Sequence, residues 1–382
     1  MKTSASGFGS GSAAIALPLA VCAAVLSACG GGSDWCDPKD KWNQPDPPPA
    51  QFTGLSLVAG DQCNTCGGSH DGTGSLARFN GAEGIAADGK GNLFVAENAS
   101  STIRKISAQG VVSTLAGLVN QPGGVDGIGN AARFRNPTRL AVDISGNIYV
   151  TDTGNSTIRR IGADGAVVTL AGQPGVCGSG DGSGAQALFC NPKGVAVDGS
   201  GVLYVADTRN DTIRRITPTG QVITIAGKPG VCGSADGGVA VATFCQPGDI
   251  TVDRWDNIYV ADTGNNTIRM IDPQGRVSTL AGAAGSCASA DGPNGASRLC
   301  APSGITVDST DNLYVADTGN NTIRRIDVGN VTTTIAGVPQ QKGIVLGPLP
   351  GELDAPTGIT MDTDASVALT SHNLVLRLLP PK

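Results

Sequence analysis

A thirteen-residue phrase, Asn257-Ile-Tyr-Val-Ala-Asp-Thr-Gly-Asn-Asn-Thr-Ile-Arg269, recurs at 147–159, 202–214 and 312–324, with a looser copy at 92–104. Residues 258–261 are β-branched or aromatic and read as a strand, and Thr267-Ile268-Arg269 opens the next. The stretch 262–266 between them is made of residues that tolerate left-handed backbone and bond their own main chain. Each copy is therefore a hairpin, and five hairpins in one chain make it a repeat fold rather than a string of unrelated domains.

The spacing sizes the repeat. Aligned on Leu/Ile-Ala-Gly, the units start at Val111, Ala166, Gln221, Arg276 and Asn330, at intervals of 55, 55, 55 and 54 residues. Within one unit four strand-like pieces follow one another, at 249–253, 257–262, 267–272 and 276–282, separated by short turns. Four antiparallel strands in a unit of this length are the mark of a propeller blade. A sixth, weaker unit has pieces at 358–362, 366–370 and 374–379 and then the chain ends, while a fourth-strand pattern stands alone near the N-terminus at 55–60. Pairing the two ends in one blade leaves no open edge. The expectation is an all-β fold over 52–382: a six-bladed β-propeller of four-stranded antiparallel blades, closed by the N-terminal strand, and monomeric.

Composition narrows the setting. A formal charge of −6 offers no basic face for phosphates, so nucleic acid is excluded as a partner. Eleven cysteines point to an oxidising compartment. Lys2 precedes an apolar run at 13–28, which is short for a membrane span and right for a signal-peptide core. It ends in Leu26-Ser27-Ala28-Cys29, which resembles the lipobox of bacterial lipoproteins, and Gly30 resembles their sorting to the outer membrane. Residues 1–28 then read as a lipoprotein signal peptide, with Cys29 as the lipidated first mature residue. An ordinary secretory signal is the alternative. The Gly-rich and Pro-rich stretch 29–51 reads as a tether holding the propeller off a lipid-anchored attachment to the cell envelope.

Gly304-Ile-Thr-Val-Asp308, followed by 312–324, resembles the NHL-repeat propellers, in particular those of the bacterial envelope. The resemblance covers 52 to the C-terminus. Blade six departs from it: Ser371-His372-Asn373 shortens the hairpin, and Thr370 stands where Asp is found at 152, 207, 262 and 317.

Repeated residues read as support for the blade. Asp152, Asp207, Asp262 and Asp317 face Arg159, Arg214, Arg269 and Arg324 across the hairpin and suggest an internal ion pair, and Glu97 stands in the same place in the first unit. Asp88, Asp143, Asp198, Asp253, Asp308 and Asp362 open the next turn and read as backbone caps. Asp71, Asp126, Asp181, Asp236 and Asp291, each followed by Gly, read as turn formers, and Phe79, Phe134, Phe189 and Phe244 as plugs under the loops. Cys177/Cys190, Cys232/Cys245 and Cys287/Cys300 share one spacing of thirteen and read as three disulfides, each worth about 3 kcal/mol by loop entropy. Cys63 pairs with Cys66, or either pairs with Cys36; the sequence leaves this open.

The residues that break the repeat carry the functional reading. At the entry to each first strand the aligned pairs are Glu83-Gly84, Thr138-Arg139, Lys193-Gly194, Gly248-Asp249, Ser303-Gly304 and Thr357-Gly358. First strands line a propeller's channel, so Glu83, Arg139, Lys193 and Asp249 ring its mouth as a candidate polar pocket; mutual salt-bridging without a ligand is the plain alternative. Three functions follow. The first is a binding module whose disulfide-pinned loop face engages an envelope protein, peptide or glycan, with no cofactor. The second, implied by the resemblance to lactonases and lyases, is an enzyme. Only His70 and His372 are present, so it would be a calcium hydrolase using Glu83 and Asp249 rather than a zinc lyase. The third is a structural spacer.

Overall fold

The computed structural model describes residues 52–61 and 68–381. The expectations for the signal peptide, Cys29, the tether, Cys36, Cys63 and Cys66 lie outside the described residues. Blade four shows how the sequence makes the unit. Its strands run Asp249–Val252, Ile258–Asp262, Thr267–Ile271 and Arg276–Gly282, from the channel outward. Alternation is suspended in the second strand, which is buried along its whole length because both its faces meet neighbouring blades. The hairpin after it is a single 3₁₀ turn, Thr263–Asn265, closed by Asn266 at φ 58°, the left-handed position that Asn tolerates. Gly282 ends the fourth strand at φ +83°, where a Cβ would lie 2.2 Å from the Asn266 carbonyl oxygen.

The blades have five strands, not four. Each chain entry first lays two residues on the outer edge of its blade, Gly237–Gly238 against Val277 and Arg276 in blade four, before crossing the top to the channel. The extra strand is built of Gly, Ser, Thr, Ile or Pro and carries no alternating pattern. An edge two residues long offers little template for pairing with another chain.

Six such sheets make the ring. Blade six contains Pro356–Met361, Val367–Ser371 and Leu374–Leu379, then Gly54–Ala59 from the N-terminus, paired in register Leu55 to Leu378 and Leu57 to Leu376. The core lies between blades, where residues of adjacent sheets form separate clusters such as Tyr204, Ile213, Phe244, Ile250 and Val260. Among the described residues no helix is long and apolar enough to cross a membrane.

Candidate functional site

In this topology the incoming loops and the second-to-third hairpins share one end of the ring, and the remaining turns share the other. On the loop end, each blade grips its loop with an arginine. Arg214 is fully buried; its Nη1 donates to Asp207 Oδ2 (2.8 Å) and the Leu188 carbonyl (2.9 Å). Its Nη2 donates to Asp181 Oδ1 (2.8 Å) and the Gly180 carbonyl (3.1 Å), and the guanidinium lies 5.1 Å from the Phe189 ring centroid. Arg104, Arg159, Arg269 and Arg324 repeat the arrangement with Glu97/Asp71, Asp152/Asp126, Asp262/Asp236 and Asp317/Asp291. The hairpin ion pair is as the sequence suggested. The second carboxylate is not a mere turn former: it is the loop's handle on the arginine. A constant separation of 33 residues between Asp and Arg, in five units, was the available signal.

Disulfides Cys177–Cys190, Cys232–Cys245 and Cys287–Cys300 close the loops entering blades three, four and five. The second cysteine of each is tied to the clamp, since the amides of Cys190, Cys245 and Cys300 donate to Asp207, Asp262 and Asp317. Asp88, Asp143, Asp198, Asp253 and Asp308 cap turns as expected, with Asp143 Oδ1 accepting from the amides of Ser145 and Asn147 at 2.9 Å. Asp362 does not, since it holds Arg377 while Asp364 accepts the Ser366 amide. In blade six the register corrects the sequence reading by one residue. Ser371, not Thr370, occupies the aspartate position and accepts the Asp354 amide at 3.0 Å. Thr370 instead receives the Gly358 amide beside the channel.

The residues at the channel entry do not play equal parts. Gly84, Gly194, Gly304 and Gly358 are aligned with Arg139 and Asp249, and a Cβ on Gly304 would lie 2.1 Å from the Thr357 carbonyl oxygen of the next blade. These glycines let backbone of the next blade approach closely, and the Arg139 side chain reaches across the entry. Its guanidinium donates to the carbonyls of Ser303 (2.7 Å), Thr357 (3.1 Å) and Glu83 (3.2 Å), each the residue before an entry glycine. Its Nε lies 3.2 Å from Asp249 Oδ2, with both side chains under one-tenth exposed. Asp249 also accepts the amides of Ile250 and Ile305. Arg139 thus joins blades one, two, four, five and six and seals the mouth, above a cavity of about 170 Å³ lined by the inner strands. Glu83 is one-fifth exposed, bonded to Asn98 and 4.0 Å from Arg139. Lys193 is exposed, and none of the described residues bonds its ammonium. A calcium ion held by Glu83 and Asp249 does not fit this arrangement, because the Arg139 guanidinium stands 3.2 Å from Asp249 Oδ2 and 4.0 Å from Glu83 Oε1 and would have to be displaced. Among the described residues no three His, Cys, Asp or Glu side chains gather to hold a metal.

The buried carboxylates titrate unusually. Burial pushes Asp152, Asp207 and Asp262 up to about 6 from the ordinary 3.8, although Arg159, Arg214 and Arg269 and backbone amides oppose the shift. Burial also raises Asp71 and Asp126, but the hydrogen bonds from Thr114, Thr169 and the clamp arginines outweigh it and leave both below 3.8. A raised folded pKa means the native state binds the proton more tightly, so these groups add stability as pH falls through 6 and lose it as pH rises. The lowered groups lose their contribution only below about pH 4. The melting temperature is therefore expected to be at least as high at about pH 5 as at about pH 7.5, and to fall below about pH 4. Thermal melts at constant ionic strength check this; a steady decline from pH 7.5 to 5 would contradict it.

Comparison with known proteins agrees with this geometry. The NHL repeat family model matches residues 134–161, 189–216, 244–269 and 299–326, each match running from the loop plug through the inner strands to the clamp arginine's strand. NHL repeat-containing protein 2 of Gallus gallus is 29% identical over 319 residues, 72% of this chain and 43% of that protein. Teneurin-1 of Gallus gallus is 30% identical over 250 residues, 57% of this chain and 9% of that protein. The chain thus spans less than half of the one and about a tenth of the other. Among solved structures, a Bacteroides thetaiotaomicron protein of unknown function superposes with a TM-score of 0.66 at 20% identity, over 85% of this chain and 75% of that one. An auxiliary nutrient binding protein from the same organism gives 0.64 at 15%, over 85% and 76%. Virginiamycin B lyase from Staphylococcus aureus gives 0.53 at 15%, over 87% and 99%. At such identities these likenesses establish the fold and nothing of the chemistry. The chain is a six-bladed β-propeller that carries NHL repeats in blades two to five.

Proposed function

We propose that the protein is an extracytoplasmic binding module, tethered to the bacterial outer membrane through Cys29, whose loop face engages an envelope protein, peptide or glycan. The observation that supports this most is the division of labour on that face. Buried arginine clamps and three disulfides hold the loops rigid, while Lys193 of blade three stays exposed without a partner among the described residues and Glu83 of blade one stays partly open. A rigid frame displaying variable polar loops binds at low ordering cost. Glu83 and Lys193 make the charged contacts, and Arg139 with Asp249 sets the floor between them. The likeness to an auxiliary nutrient binding protein is in keeping with an envelope role. A hydrolase or lyase reading has only the shared fold in its favour, and fold does not carry chemistry.

The test is in-cell crosslinking and capture, comparing the Cys29-anchored protein with a Glu83→Ala/Lys193→Ala variant that leaves the buried plug intact. Partners captured by the parent and lost from the variant support the reading. Identical captures from both, or none from either, overturn it.

A further inference from the structure

At the end of the ring opposite the loops, clefts open between the turns of blades two and three and of blades three and four. The cleft between blades two and three is about 190 Å³ and is lined by Tyr149, Arg160, Leu170 and Gly201, among others. The equivalent residues 55 positions on are Tyr204, Arg215, Ile225 and Asp256, and between blades three and four the same cleft opens to about 880 Å³. That is the size range of small-ligand sites.

Substitutions in the repeat set the larger cleft apart. The blade-three turn tip is Gly199-Ser200-Gly201, where blade two has Ile144, and a Cβ on Gly199 would meet nothing. Val202 stands where the other complete repeats carry Asn. The change matters for charge as well as space. In blade five Arg325 Nη2 donates to the Oδ1 of Asn312, the counterpart of Val202, at 2.7 Å. In blade six the equivalent arginine, Arg377, is bonded to Asp362. Arg215 has lost that partner. It is half-buried in the cleft wall, with no hydrogen bond or ion pair to any of the described residues.

Four carboxylates also line the cleft, but three are already engaged. Asp198 accepts from the amides of Ser200 and Val202 and from Tyr204, Asp253 from the amides of Trp255 and Asn257 and from Tyr259, and Asp272 from the amides of Gln274 and Arg276. Asp256, exposed at the rim, accepts no hydrogen bond from the described residues. The cleft therefore presents one free cation in its wall and one free anion at its rim. Both are felt at the Tyr204 hydroxyl, where Asp256 adds to the upward shift that burial begins and Arg215 opposes it. Ile225, Ile258 and Ile271 also line the cleft.

We infer that this cleft is a binding site for a small zwitterion with an apolar flank, an apolar amino acid or short apolar peptide, its carboxylate on Arg215, its ammonium at Asp256 and its side chain against Ile225 and Ile258. The site faces away from the loop end, so its success or failure is separate from that of the loop-face reading.

Calorimetric titration of the full chain with leucine and with Leu-Leu tests it, and which of the two binds distinguishes free amino acid from peptide. Leucinamide, which lacks the carboxylate, and the Arg215→Met variant are each expected to weaken binding about ten- to a hundredfold. N-acetyl-leucine and Asp256→Asn, which remove the more exposed pair, weaken it about two- to fivefold. Arg215→Met is expected to melt with the parent, because Met270 holds the same position in blade four. No binding of either ligand at millimolar concentration, or unchanged binding by Arg215→Met, overturns the assignment.

Discussion

Arg139→Met is expected to lower the free energy of unfolding by about 3–5 kcal/mol, the cost of leaving one member of a buried ion pair alone. Three effects add. Asp249, whose pKa burial already raises against the pull of Arg139, keeps its carboxylate in the sealed mouth with only two backbone amides for company. The carbonyls of Ser303, Thr357 and Glu83 lose their shared donor. Blades that face one another across the channel lose the Arg139 side chain that ties them together. A second substitution separates these effects. Four of the six aligned positions are glycine, so Arg139→Gly/Asp249→Gly returns the entry to the composition of the other blades. It is expected to recover at least about half of the loss, because the orphaned charge goes with its partner and water takes over the carbonyls. Denaturant unfolding of the parent, Arg139→Gly, Asp249→Gly and the double variant gives the full cycle, with Arg139→Met measured beside it. A single-variant loss below about 1 kcal/mol would mean that Arg139 is solvated rather than buried. A double variant no better than Arg139→Met would mean that the lost carbonyl bonds, not the orphaned Asp249, carry the cost.

That ring marks the boundary of what the sequence discloses. The repeat, its four long strands, the closure by residues 54–59 and the three disulfides were legible because they rest on local pattern or constant spacing. The strand spans of blade four came out within one residue. The fifth strand was not legible: Gly237–Gly238 and its counterparts pair through backbone alone, and no side-chain period announces two residues. The one-residue slip from Thr370 to Ser371 has the same root, since a shortened hairpin removes the phrase by which the register was counted. Arg139 is different in kind. The sequence flagged it as an exception to the repeat, but its partners stand 56, 110, 164 and 218 positions away, in four other blades. Only ring closure brings them together. The clamp's second carboxylate lay in between: the 33-residue separation was visible, but the Asp-Gly sequence offered a turn as a sufficient local explanation.

The second large effect expected is in the clamp, and blade six supplies its control. Arg214→Leu is expected to cost about 3–5 kcal/mol, since it strands Asp207 in a fully buried position and frees Asp181 and the Leu188 carbonyl. Blade six closes its loop without any of this. Where blade three has Asp207, Arg214, Phe189 and Asp181, blade six has Ser371, Leu376, Leu353 and Leu346, with Leu376 and Leu353 fully buried in one apolar cluster. The fold therefore already contains an apolar solution to the same packing problem. Transplanting it whole, as Asp207→Ser, Arg214→Leu, Phe189→Leu and Asp181→Leu together, is expected to leave stability within about 2 kcal/mol of the parent, far above the single variant. The clamp has room to be improved upon, because the Nε of all five clamp arginines is buried without an acceptor. What the arginine adds is position: it bonds two loop carbonyls and a loop aspartate at once, which fixes the path of a Gly-rich loop that a leucine cluster would merely cover. The fourfold variant is accordingly expected to unfold like the parent but to exchange the amide protons of residues 178–190 faster, as read by hydrogen exchange. A fourfold variant as unstable as Arg214→Leu would show that the ion pairs themselves hold the blade together. Unchanged exchange would show that Cys177–Cys190 fixes the loop without them.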